Sequence, residues 1–268
     1  MSNWPEELER LMALERCEDH FFCRVGPGLS PSHLFGGQIL GQALLAASRT
    51  VTQEFKACSF HGNFISRGDA SKPVAYRVER TLDEGHSIRS VTALQDERPV
   101  FICSALFKIE TKSTTCDAPS LSIPTPESMV FKTSASPNFA NHPIEFIKLW
   151  DETEPRKTAK RRLWFRLAAN LPNDPTLHRC LLAYCSDFSL INACLLPHRK
   201  ESERFSPQIA SLDHAMWFHR EANVTDWLLY EMDSPWAGGA RDFNRGQIFD
   251  RDGYLVASCA QEHLTRPV

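Results

Sequence analysis

Residues 176–195 read as a helix in which Asp187 is the lone acid, set among Leu181, Leu182, Tyr184, Phe188 and other apolar side chains. A carboxylate drawn out of water is costly unless hydrogen-bond donors meet it or it faces a polar cavity. Where both conditions hold, such a group can take a proton from water or orient it, which is general-base chemistry. An aspartate that caps a neighbouring loop, or one paired to an arginine, stands on equal terms with that reading. Candidate partners lie in two later strand-like runs, 208–220 and 255–263, which carry serine, histidine, glutamine and acidic residues. No Gly-x-Ser-x-Gly turn accompanies them, which disfavours a covalent serine nucleophile. The Gly238-Gly239 pair suits backbone approach to a ligand or an ordinary strand connection, and no Walker or dinucleotide fingerprint surrounds it.

The elements that must hold such a site come in two similar sets. Residues 32–47 have helical apolar spacing, and Gly36, Gly37 and Gly41 lower helix propensity there, which predicts a helix packed tightly against a sheet. Strand-like runs follow at 57–65, 73–80, 86–95 and 99–109, parted by turn signals such as Asp83-Glu84-Gly85. The second half repeats this order, with a strand at 163–167, the helix at 176–195, and strands at 210–219, 227–232, 240–249 and 254–263.

Ser59-Phe60-His61-Gly62-Asn63-Phe64 lies over Leu212-Asp213-His214-Ala215-Met216-Trp217 at an offset of 153 residues. At 154, Tyr76 meets Tyr230, Gly85 meets Gly239 and Asp96 meets Asp250. The pattern predicts an α+β chain of two tandem units at 1–110 and 144–268, joined by a Ser/Thr/Pro-rich linker at 111–143 containing Pro119, Pro124, Pro126 and Pro137. The first helix carries Gln38 and Gln42 but no acid, so a single active centre is expected, in the second half.

Composition narrows the partners. A formal net charge of −3 with no long single-sign terminal block argues against a nucleic-acid or membrane-surface footprint. No apolar run reaches membrane-spanning length, and the start Met1-Ser2-Asn3-Trp4-Pro5-Glu6-Glu7 lacks the features of a signal peptide. The nine cysteines include no Cys-x-x-Cys pair, and several sit in apolar runs, as expected of buried free thiols in a reducing compartment. A cytoplasmic or organellar matrix location is expected, and Arg266-Pro267-Val268 does not match the Ser-Lys-Leu type of peroxisomal address.

Several motifs, in order, resemble type II acyl-CoA thioesterases. In the first half they are His33-Leu34-Phe35-Gly36-Gly37-Gln38-Ile39-Leu40-Gly41-Gln42-Ala43 and Phe60-His61-Gly62-Asn63-Phe64-Ile65-Ser66-Arg67-Gly68-Asp69. In the second half they are Ala183-Tyr184-Cys185-Ser186-Asp187, Ser211-Leu212-Asp213-His214-Ala215-Met216-Trp217-Phe218-His219-Arg220 and Val256-Ala257-Ser258-Cys259-Ala260-Gln261-Glu262. The likeness runs from about residue 30 to 263, leaving out much of the linker.

The resemblance implies a double hotdog, each half wrapping an antiparallel sheet around one long helix, with the active site built mainly from the second half. It places the family's acid, hydroxyl and glutamine on Asp187, Ser211 and Gln261. Bacterial relatives carry Thr where Ser211 stands, so the hydroxyl is kept. Water activated at Asp187 would then hydrolyse a fatty acyl-CoA without cofactor or metal. His61 competes for a direct role because the family's Phe-His motif and a titratable imidazole both recommend it, with His214 as its repeat partner.

CoA phosphates call for cations, for which the run Arg156-Lys157-Thr158-Ala159-Lys160-Arg161-Arg162, Arg220 and Arg245 are candidates, a solvated surface patch being the blander reading of the run. Relatives of this fold often pair into dimers, so a homo-oligomer is expected. Two other functions compete: a hotdog enoyl-CoA hydratase, against which Asn192 counts by standing five residues after Asp187, and a non-catalytic acyl-CoA-binding protein.

Overall fold

The structure is a computed structural model that describes residues 4–17, 20–23, 33–111, 125–128, 143–149, 159–198 and 208–266. Most of the linker read at 111–143 and the start of the basic run at 156–162 lie outside the described residues.

The first half contains α1 (Trp4–Met12), β1 (Leu14–Cys17), β2 (His20–Cys23), α2 (Gly36–Ser48), β3 (Phe55–Phe64), β4 (Val74–Glu84), β5 (His86–Gln95) and β6 (Arg98–Ile109). The second contains β7 (Ile144–Lys148), β8 (Lys160–Leu167), α3 (Pro175–Ser186), α4 (Asn192–Leu195), β9 (Gln208–Ser211), β10 (Asp213–Phe218), β11 (Leu228–Gly238), β12 (Arg241–Phe249) and β13 (Leu255–Arg266). Of the strands expected from the sequence, β3, β5, β6, β8, β12 and β13 match within about three residues at each end, β4 and β11 run on to Glu84 and Gly238, and the strand expected at 210–219 is divided into β9 and β10. β1, β2 and β7 were not foreseen, because runs of four or five residues are too short to show alternation.

All strands belong to one antiparallel sheet in the order β1-β2-β4-β5-β6-β3-β10-β13-β12-β11-β8-β7, with β9 on the far end of β13. The order reads the same from both edges, strand for strand, when β3 is matched to β9 plus β10. The halves therefore meet edge to edge through β3 and β10, where Phe60 lies opposite Met216 and Gly62 opposite His214. Alternate residues of β5 are buried against the helices, as a sheet with one covered face requires. One core spans both halves, with Leu40, Leu44, Phe60, Phe107, Phe165, Tyr184 and Tyr230 among its members. This is the double hotdog that the sequence resemblance implies. No described helix is long and apolar enough to cross a membrane.

Within that core, α2 is buried from Gly37 to Ala47 and packs antiparallel on α3. A Cβ on Gly37 would overlap the Tyr184 carbonyl oxygen, and one on Gly41 would stand 2.9 Å from the Cys180 carbonyl oxygen. The glycines thus permit backbone contact between the two helices, a correction to the expectation that they serve helix–sheet packing.

The helix expected at 176–195 is also corrected. Asp174 caps α3 by accepting the Thr176 amide at 2.9 Å, Pro175 fixes its first turn, and the helix stops at Ser186 with Asp187 as its C-cap. Ser189 has φ of +72°, which no helix accommodates, and α4 restarts at Asn192. Apolar spacing conceals this break because Phe188, Leu190, Ala193 and Cys194 are buried beyond it.

Overpacking at a backbone contact typically costs about 1–3 kcal/mol. Gly37→Ala is expected to lower the thermal midpoint by several degrees and Gly41→Ala by less, as read by melting curves of the two variants beside the parent.

Candidate active site

Asp187 sits where α3 ends and α2 begins. An acid at the C-terminus of its own helix faces the negative end of that helix's dipole, which is unfavourable. The antiparallel packing offsets this by bringing up the positive end of α2: the Gly37 amide donates to Asp187 Oδ2 at 2.9 Å. A side chain on Gly36 would not fit, since its Cβ would lie 2.8 Å from Asp187 Oδ2 and 3.2 Å from the Phe64 ring. Gly36, Gly37 and Phe64, all from the first half, thus bound a site expected mainly from the second. The glycine pair was visible in the sequence, but its role as a cradle for a carboxylate was not.

The three residues placed by motif come together. Gln261, wholly buried on β13, donates through Nε2 to Asp187 Oδ1 at 2.9 Å and to Ser211 Oγ at 2.7 Å. Ser211 is at the end of β9, opposite His263. Behind Gln261 lies a polar set that the sequence reading treated as secondary. Gln261 Oε1 is 2.6 Å from His214 Nδ1, and His214 Nε2 is 2.9 Å from Ser186 Oγ. Tyr230 donates to the Ser186 carbonyl at 2.6 Å, and its hydroxyl pKa is pushed up by burial. A second buried group was missed outright: Asp242 accepts from Asn244, His263 and Thr265 at the neighbouring end of β12 and β13.

His61 is elsewhere. It is exposed on the outer face of β3, edge-on to Trp217 at 5.1 Å, while Phe60 beside it points inward. The expected repeat pairing of His61 with His214 fails for the same reason, since His214 is buried among the inward residues. A one-residue slip reverses every side chain, and the sheet requires an offset of 154 here. The register supports this throughout: Tyr76 opposite Ala93 matches Tyr230 opposite Ile248, and Ala57 opposite Phe107 matches Ser211 opposite His263.

By that register Ser211 corresponds to Ala57, His214 to Phe60 and Gln261 to Ala105, all three buried and apolar in the first half. Arg49, whose side chain bonds the Leu14 carbonyl, caps α2 where Asp187 caps α3. Among the described residues the polar set occurs once.

Of the candidate CoA-binding cations, Arg156 and Lys157 lie outside the described residues and Arg161 is buried. Arg162 pairs with Glu231 and Arg245 with Asp233 along a groove of about 510 Å³ on the outer face, and Arg220 stacks over Tyr254 at 5.0 Å. Gly239 and Ala240, with φ of +58° and +60°, form the two-residue turn between β11 and β12. This matches the strand-connection reading of the glycine pair.

The buried thiols are poor nucleophiles. Burial pushes Cys259 and Cys180 up to about 12, raises Cys185 further, and takes Cys194 to about 11. Burial lowers the pKa of His214 and, in part, those of His33, His178 and His219.

An antiparallel sheet doubled about two central helices defines a hotdog-fold protein. The same fold recurs in a protein of unknown function from Alicyclobacillus acidocaldarius, 16% identical, covering 97% of this chain and 98% of the other, with a TM-score of 0.83. The family model described as acyl-CoA thioesterase matches residues 140–264, and that described as acyl-CoA thioesterase N-terminal domain matches 27–108. Acyl-coenzyme A thioesterase 8 of Homo sapiens is 34% identical over 258 residues, covering 87% of this chain and 80% of the relative. Acyl-CoA thioesterase 2 of Haemophilus influenzae is 30% identical over 292 residues, with 99% of both chains covered. The crystal structure of an acyl-CoA thioesterase II from Mycobacterium marinum superposes with a TM-score of 0.85 at 35% identity, covering 97% of this chain and 98% of the other. The chain belongs to the acyl-CoA thioesterase family, and is by that membership a thioester hydrolase.

Two measurements follow from the titrating groups. With Cys180, Cys185 and Cys259 held as buried thiols, brief treatment of the native protein with an alkylating reagent should leave thioester hydrolysis intact. The unfolded chain takes up protons on the buried imidazoles below their ordinary value of 6.5, whereas the folded chain resists. Stability is therefore complete above that pH and falls as pH drops below it, visible as a declining melting temperature between about pH 6.5 and 5.

Proposed function

We propose that the chain hydrolyses fatty acyl-CoA thioesters by direct attack of a water held by Asp187 and Ser211, with Gln261 fixing both. The supporting observation is the single amide of Gln261, whose two N–H groups reach Asp187 and Ser211 at 2.9 and 2.7 Å. A carboxylate and a hydroxyl tied to one rigid, buried group keep a fixed separation, which is what orientation of a nucleophile requires.

Each Asp187 oxygen already accepts one N–H, from Gly37 or Gln261, and keeps a lone pair for a water proton. The water oxygen attacks the thioester carbonyl carbon as its proton passes to Asp187. The positive end of α2 faces the same point and stabilises the oxyanion that forms. Collapse of that intermediate breaks the C–S bond, and Asp187 returns the proton to the departing CoA thiolate, leaving free fatty acid and CoA.

The hydratase reading needs an imidazole beside the acid and open to substrate. His214 is the imidazole nearest in the hydrogen-bond chain, but it is buried behind Gln261 with both ring nitrogens occupied, and Asn192 bonds locally to Ser189. A reducing compartment, cytosol or peroxisomal matrix, suits the free thiols of Cys58, Cys103, Cys180, Cys185, Cys194 and Cys259.

The test is thiol release from acyl-CoA of graded chain length. Asp187→Asn should reduce kcat by roughly 10²–10⁴-fold, the usual worth of a general base, with the fold retained. His61→Ala should stay within about twofold of the parent, as an exposed residue away from the chemistry would. Full activity in Asp187→Asn would refute the assignment; binding of acyl-CoA without turnover by the parent would make the chain a carrier.

A further inference from the structure

We propose that His214 is a positioning residue, whose Nδ1 proton locks the Gln261 side chain with its N–H groups toward Asp187 and Ser211. This rests on the reading of Asp187, Ser211 and Gln261 as the set that holds the water.

The inference follows from donor and acceptor counting. An ionised carboxylate only accepts, so the Gln261 atom 2.9 Å from Asp187 Oδ1 is the amide nitrogen. Its two hydrogens are then both used, on Asp187 and Ser211. The other atom of the amide is the oxygen, which also only accepts, and it lies 2.6 Å from His214 Nδ1. That nitrogen must therefore carry a proton.

Burial keeps the His214 ring neutral, which leaves Nε2 bare to accept the hydroxyl of Ser186 at 2.9 Å. The bonds then run in one direction: Ser186 O–H to His214, His214 N–H to Gln261, Gln261 N–H to Asp187. If the ring gains a proton, Ser186 turns its hydroxyl to the Ala183 carbonyl at 2.8 Å and accepts from Nε2 instead. The Nδ1 proton stays on Gln261 in either state.

The surroundings fix this chain in place. His214, Ser186 and Gln261 are each wholly buried, and the His214 ring stacks on Phe60 at 5.9 Å with an interplanar angle of 16°. Removing the Nδ1 donor would leave a buried carbonyl oxygen without a partner, and the side chain would turn or shift to find one. A displacement near 1 Å at a reacting group can cost about 10²-fold in rate. The other half of the molecule supplies an independent comparison. There the glutamine's counterpart is Ala105 and the histidine's is Phe60, so where no amide has to be held there is no imidazole to hold it.

His214→Phe borrows the side chain that the first half tolerates at the same place. It should lower kcat about 10–100-fold with KM within about twofold, beside a fall of a few degrees in melting temperature from the buried carbonyl left without its donor. His214→Asn places an amide N–H near the Nδ1 position and should recover most of that loss. In a Gln261→Ala background His214→Phe should have no further effect on kcat, because the group through which it acts is gone. Parent kcat in His214→Phe, an equal loss with and without Gln261, or a loss confined to stability would overturn the proposal.

A measurement on the unaltered protein is decisive even if that variant does not fold. Ring ¹⁵N shifts after selective histidine labelling should show the His214 proton on Nδ1, and a neutral ring protonated on Nε2 alone would overturn the proposal. The failure of the underlying reading is separable. Full activity in Gln261→Ala would refute the water-holding set itself, whereas an inactive Gln261→Ala beside an unaffected His214→Phe would refute only the role of His214.

Discussion

The contact of Gly37 and Gly41 with the backbone of α3 sets how far apart the two halves of the chain stand. Helices that touch through carbonyl oxygens rather than side chains approach closely enough for an amide at the start of one to reach the residue that ends the other. Asp187 can occupy an otherwise unfavourable helix end because the positive end of α2 meets it. The site is therefore a property of the junction and belongs to neither half alone. Gln261 and Ser211 come from strands of the second half, but the carboxylate that Gln261 bonds is cradled by the start of α2.

The two halves share one strand order, and among the described residues only the second carries the amide and imidazole set. Where β13 places Gln261, β6 places Ala105; where β10 places His214, β3 places Phe60. Replacing the amide and the imidazole together avoids leaving a half-satisfied buried network, which costs more than an apolar core. The first half thus contributes apolar residues and the positive end of α2, while the second carries the carboxylate, hydroxyl, amide and imidazole.

Most of this fold was legible in the sequence because its elements are long and their periodicity is clean. The strands at 86–95 and 99–109 and both helices could be read from alternation and helical spacing. The end of α3 was not, since Phe188 and Leu190 stay buried after the helix stops and only backbone geometry at Ser189 marks the change. For the site, motifs named Asp187, Ser211 and Gln261, and the structure brings them into contact. His61 and His214 were paired by a one-residue error that letters cannot reveal, because identity of residue type outweighed the alternation that puts one outside and the other inside. The Gly37 amide carries no side chain, so its bond to Asp187 had no signature beyond a glycine.

The seam between β3 and β10 also bears on how such a chain is made. During synthesis from the N-terminus, β3 emerges long before the strand that covers its outer edge. Until then it presents unpaired N–H and C=O groups beside a helix whose glycine face has nothing to rest on. An exposed edge of this kind invites pairing with other nascent chains, and the hazard lasts as long as translation of the second half. Within the segment that β10 later pairs, His61 and Asn63 are exposed polar residues, which make a waiting edge less apolar than its inward face.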